Sequence, residues 1–405
     1  MPEIVKRRAE TARDKKAAYG MDVDLNRYQL FTEETAEAAG LGTFSQEERE
    51  KIGRSGVDIE ERNRAGTFLQ ADHRVLHCVS RQQGLEVLPM ARALQEYPWL
   101  EEYYWRAVEV DTDKYTAQAE LNFQNGYFIR ALAGQRLTTP IQACLYMRHE
   151  NTAQNVHNII IAEEGSELNI ITGCATAPRL RAGLHVGISE FYDRRGAKLT
   201  FTMIHDWAED VMVRPRSGIV VEENGLFLSN YVSLKPVRSL QMYPTVRLVG
   251  PGAVARLHSV LLAPPGSELD TGARVVLESS QTRAEIISRT ITTGGVIKAR
   301  GHLRGLKPEV KAHLECHGLI LNDQGVIHAI PELEGHAVGA EMSHEAAVGK
   351  IAEEEIEYLM ARGLTEEEAT ATIVRGFLNV RIEGLPPELQ AEVDRAIEES
   401  QRSML

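Results

Sequence analysis

The feature that most constrains this sequence is a period. From about Asp111 to Glu345, apolar residues alternate with polar ones in short runs that turn at glycine, as in NIIIAEEGSELNII around Gly165 and YDRRGAKLTFTMI around Gly196. Gly165, Gly196, Gly225 and Gly252 lie 31, 29 and 27 residues apart, and Gly266, Gly295 and Gly325 follow at 29 and 30. Residue identity barely repeats, so the period is structural. Alternation with period two marks strands that bury one face. Strand-and-turn units recurring at this spacing, with no helix between them, predict mainly β structure with rungs stacked into a β-solenoid. Such a stack buries an inward face in every rung and hides most strand edges. A large antiparallel sandwich is the competing architecture, and the solenoid is favoured over it.

The flanks read differently. Residues 1–110 are predicted to form a largely helical N-terminal domain. Ala9 to Tyr19 mixes both charge signs around alanines, Ser45-Gln46-Glu47-Glu48 is a capping box, and Asp58 to Arg62 is a second short charged element. In HRVLHC, the spacing of His73, His77 and Cys78 fits one helix face, and amphipathic packing accounts for it better than a metal contact. Tyr97-Pro98-Trp99-Leu100 opens a further helix with proline in its first turn. Residues 111–345 make the β core and residues 346–405 a helical C-terminal domain. There Gly363 stops one helix, and Thr365 with Glu368 caps the next, whose stripe is Ala369, Ile373, Val374 and Phe377. Pro386-Pro387 opens a third, with Leu389, Val393 and Ile397 as its stripe. Helices this short bury little by themselves and should dock on the β domain or on a partner.

Composition removes several function classes. No run of 18 or more apolar residues exists, which excludes an ordinary transmembrane helix. The charged start MPEIVKRRAETARDKK leads into no apolar stretch, so it is not a secretory signal. Four widely spaced cysteines in 405 residues fit a reducing cytoplasm better than a disulfide framework. A net charge of −13 disfavours nucleic acid as the main partner. Gly349-Lys350, the nearest match to a phosphate-binding loop, is followed by Ile351, so ATP hydrolysis by this chain is not expected.

Residues with chemistry concentrate late in the chain. Six of thirteen histidines fall between His302 and His344, together with Cys316. A thiol, imidazoles and a carboxylate are what a soft metal site uses. The plainer reading is that histidines decorate half-exposed strands and a lone cysteine is a small buried hydrophobe. In AHLECHGLIL, alternation puts His313, Glu315 and His317 on one face and Cys316 with Leu314 and Gly318 on the other, the position of a core thiol. His344-Glu345 is no zinc-protease motif, because Val348 stands where the second imidazole belongs.

His344-Glu345-Ala346-Ala347-Val348-Gly349-Lys350-Ile351, followed by YLMARGLTEEEA from Tyr358, resembles the C-terminal signature of the SufB/SufD family, the scaffolds of SUF iron–sulfur cluster assembly. The YPWLEEYYW run from Tyr97 resembles the segment before that family's core, and the likeness extends to Phe377. The resemblance implies a right-handed parallel β-helix between helical N- and C-terminal domains. It implies that Cys316, in the place of the family's C-D-S-L-L element, faces a partner subunit and helps hold a nascent cluster with His344 and Glu345; His317 stands where Asp is usual. Cys174, in TGCATAP, resembles the family's G-C-T-A-P element with one extra residue, and is implied to accept sulfur as a persulfide and to belong to the metal-binding set. His205-Asp206-Trp207 falls where SufB has Q-N-W, in a stretch associated with a sulfur path through the β-helix; only the Trp is kept, so His205 receives no role. Cys78 and Cys144 read as core residues.

Having Cys316, His344 and Glu345 together, the chain resembles SufB more than SufD. One Cys with His and Glu holds a cluster less tightly than four cysteines, which suits a donor. The resemblance thus implies a cytoplasmic scaffold that is not itself an enzyme and carries a transient iron–sulfur cluster. Its implied partners are a SufC-type ABC ATPase on the C-terminal helices, a second copy or a SufD-like chain, a sulfur donor and recipient apoproteins. The rival readings are a β-solenoid carbohydrate-active enzyme and a metal-free structural adaptor for the ATPase.

Overall fold

The computed structural model describes residues 3–30, 40–378, 390, 391 and 394. It is a β-solenoid of about eight turns, with helices at both ends. Each turn contributes one strand to each of two facing parallel sheets. One sheet stacks Arg136–Met147, Glu167–Thr176, Lys198–Asp206, Leu226–Ser233, Val254–Ala263, Arg283–Thr292, Lys311–Ile320 and Glu341–Gly349 in that order. The other runs through Thr152–Ala162 and Ala182–Asp193, then through two rungs whose strands are broken in two (Asp210–Val213 with Arg216–Val221, and Ser239–Met242 with Thr245–Leu248), to Glu268–Leu277, Val296–Gly305 and Val326–Gly335. The period seen in the sequence is the rung repeat. Gly165 and Gly196 take positive φ (66° and 65°) in the turns just before new strands, where a Cβ would be strained. At the next turn Asn224, with φ 54°, takes that conformation in place of Gly225.

Apolar residues from both sheets fill the interior as one continuous core, from Ala65 to Cys316. The outer faces are covered unevenly. Helix Lys114–Leu121 and the aromatic segment around Tyr104 and Trp105 cover one sheet at the early rungs. Residues around Phe44, Ile52 and Val57 cover the other. Helix Glu366–Leu378 lays Val374 and Leu378 on Val260, Leu262, Ile291 and Leu319. The last rung is bare: Val326, Val338 and Val348 are 51%, 96% and 41% exposed.

The N-terminal expectation needs correction. Residues 1–110 are not largely helical, since Gly66–Ala71, Arg74–Ser80 and Leu85–Pro89 are strands. HRVLHC follows a turn at Asp72, with φ 49°, and runs as a strand antiparallel to Gly66–Ala71, which itself joins the solenoid sheet beside Arg136–Met147. A free sheet edge available for pairing outweighed a spacing that fitted a helix equally well. His77 therefore faces Glu61 at 3.0 Å, and Cys78 donates to the Val87 carbonyl. Pro98–Glu102 forms only a short 3₁₀ turn. The expected break after Glu345 falls inside the strand Glu341–Gly349. The helices Glu353–Met360 and Glu366–Leu378 and the capping boxes at Ser45 and Thr365 are as expected. The helix anticipated from Pro386 lies outside the described residues.

One buried carboxylate fastens the N-terminal segment to the solenoid. Glu190 is fully buried and accepts from the backbone N–H groups of Trp105, Arg106, Ala107 and Val108 at 2.6 to 3.1 Å, with His157 Nε2 at 2.8 Å. Trp105 has φ 57°, a conformation that turns these amides toward one point. Replacing Glu190 by Ala would orphan several buried donors at once. It is expected to cost about 3–5 kcal/mol, read as a lower denaturation midpoint, with residues 98–110 becoming the first site of limited proteolysis.

Candidate functional site

Parallel pairing places register partners on the same face of the sheet, so inward side chains form columns running along the solenoid. One such column holds Thr172, Met203, Tyr231, Ser259, Ser288, Cys316 and Ala346. The neighbouring column begins with Leu145, Cys174, His205 and Ser233. The Tyr231 hydroxyl lies 2.8 Å from His205 Nδ1 and so joins the two columns. Farther along, Ser259 donates to Ser288 at 3.1 Å. Cys174 and Cys316 thus sit at the two ends of a polar seam inside an otherwise apolar core. They are five strands apart, roughly 24 Å at the usual strand spacing.

Burial sets the protonation of this seam. Cys174 is fully buried and its thiol is held well above the ordinary range. Cys316 is 2% exposed and is pushed up to about 11, first by burial and then by the Glu315 charge. Burial drives the imidazoles the other way: His185 falls to about 3, and His205 lies well below its usual value. Both rings contact Trp207, with centroids 4.9 and 5.3 Å away. Gln154 donates its amide to the carbonyls of Asp72 and Tyr146, so its oxygen faces His185 Nδ1 at 2.9 Å, which must carry the proton. A small interior cavity of about 50 Å³ lies among His185, His205, Tyr231, Ser189 and Ser217. His205 Nε2 and Trp207 Nε1 are buried without a hydrogen-bond partner.

At the open end the predicted residues separate. Cys316 and His344 share the inward face, because His344 pairs in register with Leu314 and Cys316 with Ala346. They are diagonal neighbours on adjacent strands, His344 exposed and Cys316 covered. Glu345 pairs with Glu315 on the outward face, where His317 Nε2 is 3.5 Å from it. Among the described residues, no three His, Cys, Asp or Glu side chains converge on a position for one metal ion. Cys144 packs on the outer side of the sheet with Phe44, Ile52 and Tyr146, and the Cys78 thiol rises to about 11 with burial. Tyr231, Ser259 and Ser288 were not singled out from the sequence. Their signal is their spacing from Cys316 in rung steps of 28, 29 and 28 residues (231, 259, 288, 316). No helix is long and apolar enough to cross a membrane among the described residues.

Similar proteins point one way. Residues 145–377 match the protein-family model described as the SufBD core domain of the SUF system for FeS cluster assembly. An iron–sulfur cluster assembly SufBD family protein of Methanothermobacter thermautotrophicus is 50% identical over 404 residues, covering 98% of each chain. One from Archaeoglobus fulgidus is 48% identical over 376 residues, 93% of this chain and 100% of its own. One from Pyrococcus horikoshii is 31% identical over 365 residues, 88% and 82% respectively.

Two pH dependences follow from the buried groups. Alkylation of Cys316, read by peptide mass spectrometry, should keep rising through pH 10, whereas an ordinary thiol levels off near 9. His185 is neutral in the fold, while the unfolded chain binds a proton near pH 6.5. Its contribution to stability is therefore present above about 6.5 and is lost as pH falls toward 3, by up to about 1.4 kcal/mol per pH unit. His185→Gln should flatten this acid limb in thermal melts.

Proposed function

Because the chain belongs to the SufBD family of iron–sulfur cluster assembly proteins, we propose that it is a scaffold on which a transient iron–sulfur cluster is built where two scaffold subunits meet. The observation that carries this reading is the pairing of a polar interior seam with a bare end rung. Cys316 and the exposed His344 lie on one face of the last two strands and Glu345 on the other. A single subunit does not gather the three. A second body that caps the free edge of Glu341–Gly349 can meet ligands from both faces, and the exposed Val326, Val338 and Val348 supply its apolar contact.

In this reading the Cys174 thiolate attacks the outer sulfur of a donor protein's persulfide, the donor's S–S bond breaks and its thiol is released, and the column from His205 through Tyr231, Ser259 and Ser288 leads toward Cys316. A buried thiol near pH 7 is a poor nucleophile and a poor metal ligand. Incoming iron, or opening of the end rung, favours its thiolate. Cys, His and Glu together bind iron loosely enough for later transfer to recipient apoproteins. The second body is another copy or a SufD-like chain. A SufC-type ATPase docks on the C-terminal helices, where Tyr358 and Met360 are 58% and 44% exposed, and its nucleotide-driven closure twists the scaffold pair and uncovers the ligands. The work takes place in the reducing cytoplasm.

Anaerobic reconstitution with ferrous iron and sulfide tests the reading, followed by visible absorption and Mössbauer spectroscopy. Wild type and Cys78→Ala should take up a cluster, and Cys316→Ala should lose it. Free sulfide bypasses Cys174, so Cys174→Ala should retain uptake. A wild type that takes up no iron, alone or with its ATPase partner, would mark the chain as an adaptor.

A further inference from the structure

Glu315 and Glu345 are register partners on the outer face, so two carboxylates project side by side from strands about 5 Å apart. Arg289 offsets their repulsion, and His317 stands between them. Arg289 reaches Glu315 at 2.5 Å, while His317 stands 3.6 Å from Glu315 and 3.5 Å from Glu345. Arg289 also donates to His317 Nδ1. A guanidinium accepts no hydrogen bond, so Nδ1 carries the lone pair and the imidazole proton sits on Nε2, the nitrogen facing Glu345. An aspartate at position 317 would instead bring a third negative charge to this pair.

The same arginine faces the C-terminal helix. Its guanidinium lies 5.8 Å from the ring centroid of Phe377, in the helix whose Val374 and Leu378 pack on the outer sheet face. Arg289, His317, Lys350, Ile351 and Phe377 line one groove, through which the chain passes from the end strand to the helices. An unbroken set of contacts therefore runs from the helix to Glu345.

We infer that Arg289 and His317 are positioning residues that hold Glu345 on the outer face and tie its placement to the helix Glu366–Leu378. Displacing the helix removes the aromatic face from Arg289, loosens its contacts with Glu315 and His317, and frees the Glu345 carboxylate to swing over the free edge of its strand. The inference rests on the reading of Glu345 as a cluster ligand, and it makes the docking helix the control for that ligand.

The test uses the full chain with Arg289→Gln, Phe377→Leu and Glu345→Gln. Phe377→Leu keeps apolar packing and removes only the ring. Amide hydrogen exchange across residues 341–349 should quicken about tenfold in Arg289→Gln, and in the same direction in Phe377→Leu, while exchange in Val254–Ala263 stays unchanged. The Mössbauer signature of the reconstituted cluster should change in both variants, and Glu345→Gln should abolish any further effect of Arg289→Gln. Unchanged exchange and spectra in Arg289→Gln and Phe377→Leu would overturn the inference, as would a wild-type spectrum indifferent to Glu345→Gln. If wild type takes up no cluster, the scaffold reading falls by itself, and the exchange measurement still decides whether the helix controls the end strand.

Discussion

The register between Lys311–Ile320 and Glu341–Gly349 is the constraint on which the site depends. Pairing Cys316 with Ala346 sends His344 inward and Glu345 outward. A slip of one residue would exchange the faces of all three. That register is held by seven preceding strands in the same sheet, each in parallel pairing with the next, and by an apolar interior that tolerates no reversal. The long β core is thus a ruler that delivers a few side chains to its open end.

The same geometry explains why so costly an interior persists. Buried hydroxyls, imidazoles and thiols contribute less to stability than the aliphatic residues they replace, and His205 Nε2 here has no partner. Hydrogen bonds such as Tyr231 to His205 and Ser259 to Ser288 offset part of that cost. Departures from an ideal core are expected where function demands them. The polar residues lie in register between the two cysteines that the family resemblance singles out.

Much of the fold was legible because one physical signal dominated it. The rung period, the alternation and the capping boxes at Ser45 and Thr365 each report a local rule that the tertiary structure leaves standing. HRVLHC misled because its spacing satisfies a helix face and a strand alike, and only the sheet edge at Gly66–Ala71 decides between them. For the site, alternation alone placed Cys316 inside with Leu314, and His317 outside with Glu315. It could not place Glu345 relative to Cys316, since that needs the offset between two strands separated in the chain by the strand Val326–Gly335 and its two turns. Tyr231 and Ser259 escaped for the same reason: they matter through register across rungs, and a tyrosine or serine in a strand carries no signal by itself.

On the proposed reading, the ligands come together only between subunits at the end rung. The most direct measurement of this is the stoichiometry of the loaded protein, with iron and sulfide counted against the mass from sedimentation under anaerobic conditions. Wild type would be compared with a Val348→Glu variant, which charges the bare rung without touching Cys316, His344 or Glu345. One cluster per pair of subunits is expected in wild type, with a folded Val348→Glu monomer that holds none. A full cluster on each monomer, retained by Val348→Glu, would contradict the reading.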